Sequence, residues 1–134
     1  MEVLPELDQL ALAACVLLAG VALVHIVLAF GVRKGEMAWG GRYPRLLPGP
    51  HRIGSAFYAL GLVLSGLILA QLAGLIDLVD IPGGVMEATG WVVTVFLGVT
   101  ALFSLFKGSR WERMMFGPIG IIGAALVGWY TFGQ

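Results

Sequence analysis

Cys15 is the only cysteine in the chain. One thiol excludes an intramolecular disulfide, a CxxC redox pair and a cysteine metal cluster. Membrane enzymes that shuttle disulfides need a pair of thiols, so that class is excluded too. Charge is also scarce. Asp, Glu, Lys and Arg make up 12% of the residues, against roughly 25% in soluble globular chains. With 59% of its 134 residues hydrophobic, a soluble domain of this size could not hide its apolar side chains. The first nine residues lack Lys and Arg and hold Glu2, Glu6 and Asp8. A cleavable signal peptide starts with basic residues, so none is expected here.

What is present is a set of long apolar runs. Residues 10–32, 53–76, 88–106 and 114–132 are each long enough to span a bilayer. The first is roughly 35 Å long as a helix, enough to cross about 30 Å of hydrocarbon with some tilt. Membrane strands would alternate in segments of about ten residues. These runs are apolar on every face, so helices are expected. The fold class predicted is all-α: a four-transmembrane-helix bundle forming one integral membrane domain over residues 1–134.

The net charge is zero, but its distribution is uneven. Arg33, Lys34, Arg42, Arg45 and Arg52 surround the first loop, and Lys107, Arg110 and Arg113 the third. Glu2, Glu6, Asp8, Asp77, Asp80 and Glu87 mark the opposite side. By the positive-inside rule the first and third loops face the cytoplasm and both termini face outward. Trp39 and Trp111 fall beside the basic loops. Trp91 and the pair Trp129 and Tyr130 fall at the other ends of their spans, as interfacial anchors do.

The first loop, GEMAWGGRYPRLLPGPHR over residues 35–52, gathers much of the polar chemistry. Its plainest role is to reverse the chain. Gly35, Gly40 and Gly41 release the first helix, and Pro44, Pro48 and Pro50 hold the connection extended. Its arginines suit anionic headgroups at about 1 kcal/mol each. Glu36 is more than such a hairpin needs. In the third loop, Ser109 and Glu112 fit a capping box at the start of the fourth helix. Pro118, about a turn further on, either kinks that helix or lies close enough to its start to be tolerated.

Small residues at spacing four run along each span: Ala11, Cys15 and Ala19; Gly66, Ala70 and Gly74; Gly90, Thr94 and Gly98; Gly120, Ala124 and Gly128. In lipid such stripes mark close helix contacts, within the bundle or against another protein. No strong internal repeat is present; KGEMAW and KGSRWE are alike in composition only.

Chemistry inside the membrane is limited. His25 is the one ionisable residue within a span, about 12 Å from the basic end at helical rise. Its plainest role is a neutral imidazole bonded to a neighbouring helix, through Ser55, Thr100 or Ser104. Bis-histidine haem would need a second histidine at the same depth, and His51 is at the surface. Proton-coupled multidrug export uses a mid-membrane carboxylate, and no Asp or Glu falls within a span. Thr94, Ser104, Ser65 and Gln71 are too sparse to line an ion pore. A surface enzyme would draw on Glu36, His51, Glu112, Arg113 and the other arginines to handle a phosphorylated lipid head. No nucleophile, metal-ligand set or phosphate loop accompanies them, nor does the pattern of the four-helix glutathione-handling enzymes.

Gly35-Glu36, Trp39-Gly40-Gly41-Arg42 and Arg52 with Ser55, followed by Ser109-x-x-Glu112-Arg113 and Pro118, resemble a family of small four-helix bacterial inner-membrane proteins of unknown function. The resemblance touches both hairpins. It implies a multi-pass protein of the bacterial inner membrane and no particular activity. It also implies that Glu36, Trp39, Arg42, Arg52, Glu112 and Arg113 act as a group, with Glu36 and Glu112 pairing with arginines across the two loops.

The candidate functional cluster is therefore Glu36, Trp39, Arg42, Arg45, His51, Arg52, Arg110, Glu112 and Arg113, with His25 as the intramembrane polar residue. No catalytic residue, metal site, cofactor or nucleic-acid partner is expected. The expected partners are anionic lipids at the basic face and either a membrane-protein partner or a second copy. Two functions compete, of which the first is the expected one and the second the alternative. One is a non-enzymatic accessory or scaffold subunit, which needs a lipid-facing small-residue stripe. The other is a stand-alone protein binding a lipid or small amphiphile, with or without catalysis or transport. That one needs a cavity bounded by His25, Glu36 and the arginines.

Overall fold

The computed structural model describes residues 5–31, 41, 43, 45, 48–77, 80, 82–110 and 112–133, with side chains described from residue 9 onward. Four helices account for nearly all of them: α1 Pro5–Ala29, α2 Gly49–Leu72, α3 Gly83–Lys107, and α4 Gly117–Phe132, which is led in by a π-helical turn, Glu112–Phe116. All four are long and apolar enough to cross a membrane, the last counted together with its π-helical lead as Glu112–Phe132, and no strand occurs among the described residues. The fold is a four-transmembrane-helix bundle.

In hydrocarbon every backbone polar group must be satisfied within the chain, and a helix does this locally. Several hydroxyls inside the spans follow the same rule, though the buried Thr131 Oγ1 has no partner among the described residues. Ser65 donates to Gly61 O at 2.7 Å, Thr94 to Gly90 O at 2.8 Å, and Thr100 to Phe96 O at 2.8 Å. Each is bonded one turn back on its own helix.

The helix limits differ from those expected, for local reasons. α1 stops at Ala29 because Gly31 turns left-handed, with φ 104°. Gly31 had not been singled out; Gly35 and Gly40 lie outside the described residues. α2 starts at Gly49, with Pro48 extended ahead of it (φ −57°, ψ 155°) and Pro50 in its first turn. Pro48 behaves as expected. Pro50 is instead helical, in the first turn where its missing N–H costs nothing. At the other end Gly74, φ 77°, closes the helix. Leu75 N bonds Ala70 O at 2.9 Å and Gly74 N bonds Gln71 O at 3.1 Å, a Schellman pattern. Gly74 therefore ends α2 rather than extending its packing stripe. α3 starts at Gly83, five residues before the apolar run expected from Ala88, with Pro82 extended ahead of it (φ −55°, ψ 143°).

Ser109 and Glu112 form the reciprocal cap. Ser109 N donates to Glu112 Oε1 at 2.9 Å, and Glu112 N donates to Ser109 Oγ at 3.4 Å. The π-helical turn then widens the chain before Pro118, which takes the second position of α4. A proline in a first turn needs no N–H partner.

α1 packs along α2 and α3 along α4, and α4 also meets α1 and α2. α4 is the most buried of the four. Small residues permit this. A Cβ placed on Gly120 would lie 2.8 Å from Ala101 Cβ, so the α3 and α4 backbones approach as only glycine allows. Gly117 packs against Leu105, and Gly90 against Thr131. On the other hairpin Cys15 Sγ donates to Gly66 O at 3.3 Å. The core between the hairpins is built from Leu18, Leu62, Leu69, Leu97, Val127 and Tyr130. Tyr130 is fully buried, unlike its exposed neighbour Trp129. It is a core residue and not an interfacial anchor, because its helix lies in the middle of the bundle.

Candidate functional site: a cleft between α2 and α3

α2 and α3 touch only sparingly. Between them lies a cleft of about 730 Å³, closed at the back by His25 of α1 and Phe116 of the π-helical turn. Aromatic side chains keep this seam apart. Phe96 of α3 projects across to α2, where Gly61 receives it: a Cβ on Gly61 would lie 2.8 Å from the end of the Phe96 ring. Phe57 and Phe103 flank the cleft and are 69% and 63% exposed, so its side opens onto the surface the bilayer would cover.

The lining changes along the helix axes. From Phe96 to Lys107, α3 rises about 16 Å at about 1.5 Å per residue. At the loop end stand Lys107, Glu112, His51 and Tyr43. Tyr43 packs on His51 with ring centroids 4.6 Å apart. At the inner end stand His25, Tyr58, Phe96, Thr100 and Phe116. His25 is buried, and its Nδ1 lies 3.3 Å from Ser55 Oγ, the first of the three partners expected from sequence. Its ring meets Tyr58 edge-on at 4.5 Å and Phe116 at 5.6 Å. Tyr58 and Thr100 line this end together, and the Thr100 hydroxyl donates to Phe96 O.

The expected cluster is only partly assembled here. His51 and Glu112 line the cleft with His25. Arg52 turns the other way: its Nε donates to Ala29 O at 3.0 Å, tying the C-terminal end of α1 to the first turn of α2. It faces a separate apolar groove of about 700 Å³ along α1 and α2. Arg45, Arg110 and Arg113 are exposed and are not among the lining residues. Glu112 holds the Ser109 cap, and that cap fixes its place at the cleft mouth. Glu36, Trp39 and Arg42 lie outside the described residues, and so does any pairing of Glu36 across the loops. Among the described residues no group of three or more His, Cys, Asp or Glu is arranged to hold a metal ion.

Several lining residues were not singled out from sequence. These are Tyr43, Tyr58, Phe96 and Phe116, while Lys107 entered only as part of the charge pattern that sets topology. The available signal was periodic. Phe96, Thr100, Phe103 and Lys107 lie three or four apart and so share one side of α3.

The fold and cleft define a multi-pass membrane protein with a laterally open cleft that is apolar and aromatic inside and charged at one end. Compared with protein-family models, curated proteins and solved structures, the chain matches none.

Proposed function

We propose that this is a stand-alone membrane protein that binds an amphiphile from the bilayer in the cleft between α2 and α3. The single observation that carries this reading is the gradient along the cleft. Lys107 and Glu112 lie at its loop end and aromatic rings line its membrane-depth part. A molecule with an apolar tail and a polar head matches such a gradient, and the exposed flank at Phe57 and Phe103 gives it a lateral path. The volume lies within the range of about 300–1,000 Å³ usual for small-molecule sites.

The rival reading, an accessory or scaffold subunit, draws less support. Its argument needs small-residue stripes that face lipid. Gly90 and Gly120 are instead buried in the α3–α4 contact, and Gly66 lies against Cys15. Those contacts use part of the stripes inside one chain, while Ala19 is exposed and Gly98 has open space where a Cβ would be.

The test is mild-detergent purification followed by native mass spectrometry. One amphiphile retained per chain is expected, with loss of that species in Thr100→Trp, which fills the cleft. A stoichiometric protein partner, with no small molecule retained, would overturn this reading in favour of the subunit.

A further inference from the structure

We propose that the inner half of the cleft docks the flat, uncharged head of a quinone or quinol whose polyisoprenoid tail leaves between Phe57 and Phe103. This rests on the reading above that the cleft takes an amphiphile, names the class of molecule, and seats its head among the aromatic rings rather than at the charged loop end. The first argument is charge. The titratable groups facing the inner half are His25 and Tyr58, and Lys107, Glu112 and His51 stand at the loop end. A phosphate or carboxylate head at that depth would meet no fixed countercharge, and burying an unpaired charge is costly. An uncharged head with hydrogen-bonding oxygens carries no such penalty.

The second argument is the His25–Ser55 pair. Nδ1 is engaged by Ser55 Oγ at 3.3 Å, the only hydrogen bond His25 makes among the described residues. The other ring nitrogen, Nε2, is left to the cleft that His25 lines. A neutral imidazole has one donor and one acceptor nitrogen. When Ser55 donates to Nδ1, Nε2 carries the proton and suits a quinone carbonyl. When Nδ1 donates to Ser55, Nε2 accepts and suits a quinol hydroxyl. One hydroxyl–imidazole pair thus serves both forms of the head without creating a buried charge.

The third argument is shape. The rings around this end are inclined to one another rather than stacked. His25 and Tyr58 meet at 63°, His25 and Phe116 at 46°, and Tyr58 and Phe96 at 47°. Edge contacts leave ring faces for a planar guest. The Tyr58 and Thr100 hydroxyls line the same end of the cleft, and the Tyr58 O–H is the donor that would meet the opposite oxygen of the head.

The experiment uses the full chain in lipid nanodiscs, with decyl-benzoquinone and phosphatidylglycerol as separate probes. Saturable binding of about one quinone per chain is expected. Affinity should fall about tenfold in His25→Leu, the effect of losing one buried hydrogen bond. If His25→Leu fails to fold, the near-isosteric Thr100→Val serves, with an expected loss of about threefold. Thermal melting without probe reports the fold of each variant, and Arg113→Ala, away from the cleft, should bind as the parent does. Retention of phosphatidylglycerol without quinone binding overturns this inference and leaves the amphiphile reading standing. Retention of neither probe, nor of any native amphiphile, overturns both. Quinone binding that is indifferent to His25→Leu and Thr100→Val also overturns the assignment of the inner half.

Discussion

The seam between α3 and α4 and the seam between α2 and α3 run along the same helix and end up opposite in character. The first is built on Gly90, Gly117 and Gly120, and the backbones close on each other. The second is built on Phe57, Phe96 and Phe103, and it stays open. Lipid gives apolar helices no hydrophobic reason to associate, so contact depends on how closely backbones fit. Small residues close a seam and large inclined rings hold one apart. A helix with one side of each kind carries a structural face and a binding face together.

Gly120→Ala should have the largest effect of the changes considered. Its Cβ would lie 2.8 Å from Ala101 Cβ and 3.4 Å from Leu97 O, atoms that cannot swing aside. A loss of about 2 kcal/mol is expected, within the usual range for overpacking, read as a shift in the unfolding curve in mixed detergent. Ser109→Ala comes next, at about 1 kcal/mol, since it removes the hydroxyl half of the cap. It should also loosen Glu112 at the cleft mouth, so binding weakens along with stability.

Gly61→Ala sharpens the comparison because the chemistry is the same as at Gly120. Here the added Cβ would meet the far end of the Phe96 ring at 2.8 Å. A ring can turn, so the expected cost is under about 1 kcal/mol, while Phe96 shifts and ligand binding drops. Equal destabilisation at the two glycines would show that the cleft seam is as tightly packed as the α3–α4 seam. The smallest effect is expected for Glu36→Gln. If Glu36 pairs with an arginine across the loops, the melting temperature in detergent falls slightly, in keeping with the ~0–1 kcal/mol of exposed ion pairs. An unchanged melting temperature would count against the pairing.

Much of the bundle was legible in the sequence, because hydrophobic length is a one-dimensional quantity. Four runs without Asp or Glu predicted four helices, and the reciprocal Ser109–Glu112 cap could be read from spacing alone. Helix ends were harder. Gly31 and Gly74 act through their backbone conformation, and one glycine among the chain's 20 does not announce its φ. The site was less legible again. The polar loops drew attention to arginines, yet Arg52 ties helix ends together and Arg45, Arg110 and Arg113 are exposed. Of the described members of the expected cluster, only His51 and Glu112 line the cleft, together with the intramembrane His25.

By itself, then, the sequence determined that the chain forms four membrane-spanning helices, where its charge concentrates, and which chemistries it lacks, since these follow from composition and order along one line. Only the tertiary structure decided which seam closes and which stays open. That choice depends on which side chains from different helices face each other across a few ångströms. His25 meets Ser55, Tyr58 meets Phe96, and Gly120 meets Ala101 through residues far apart in the chain. No local pattern encodes such meetings.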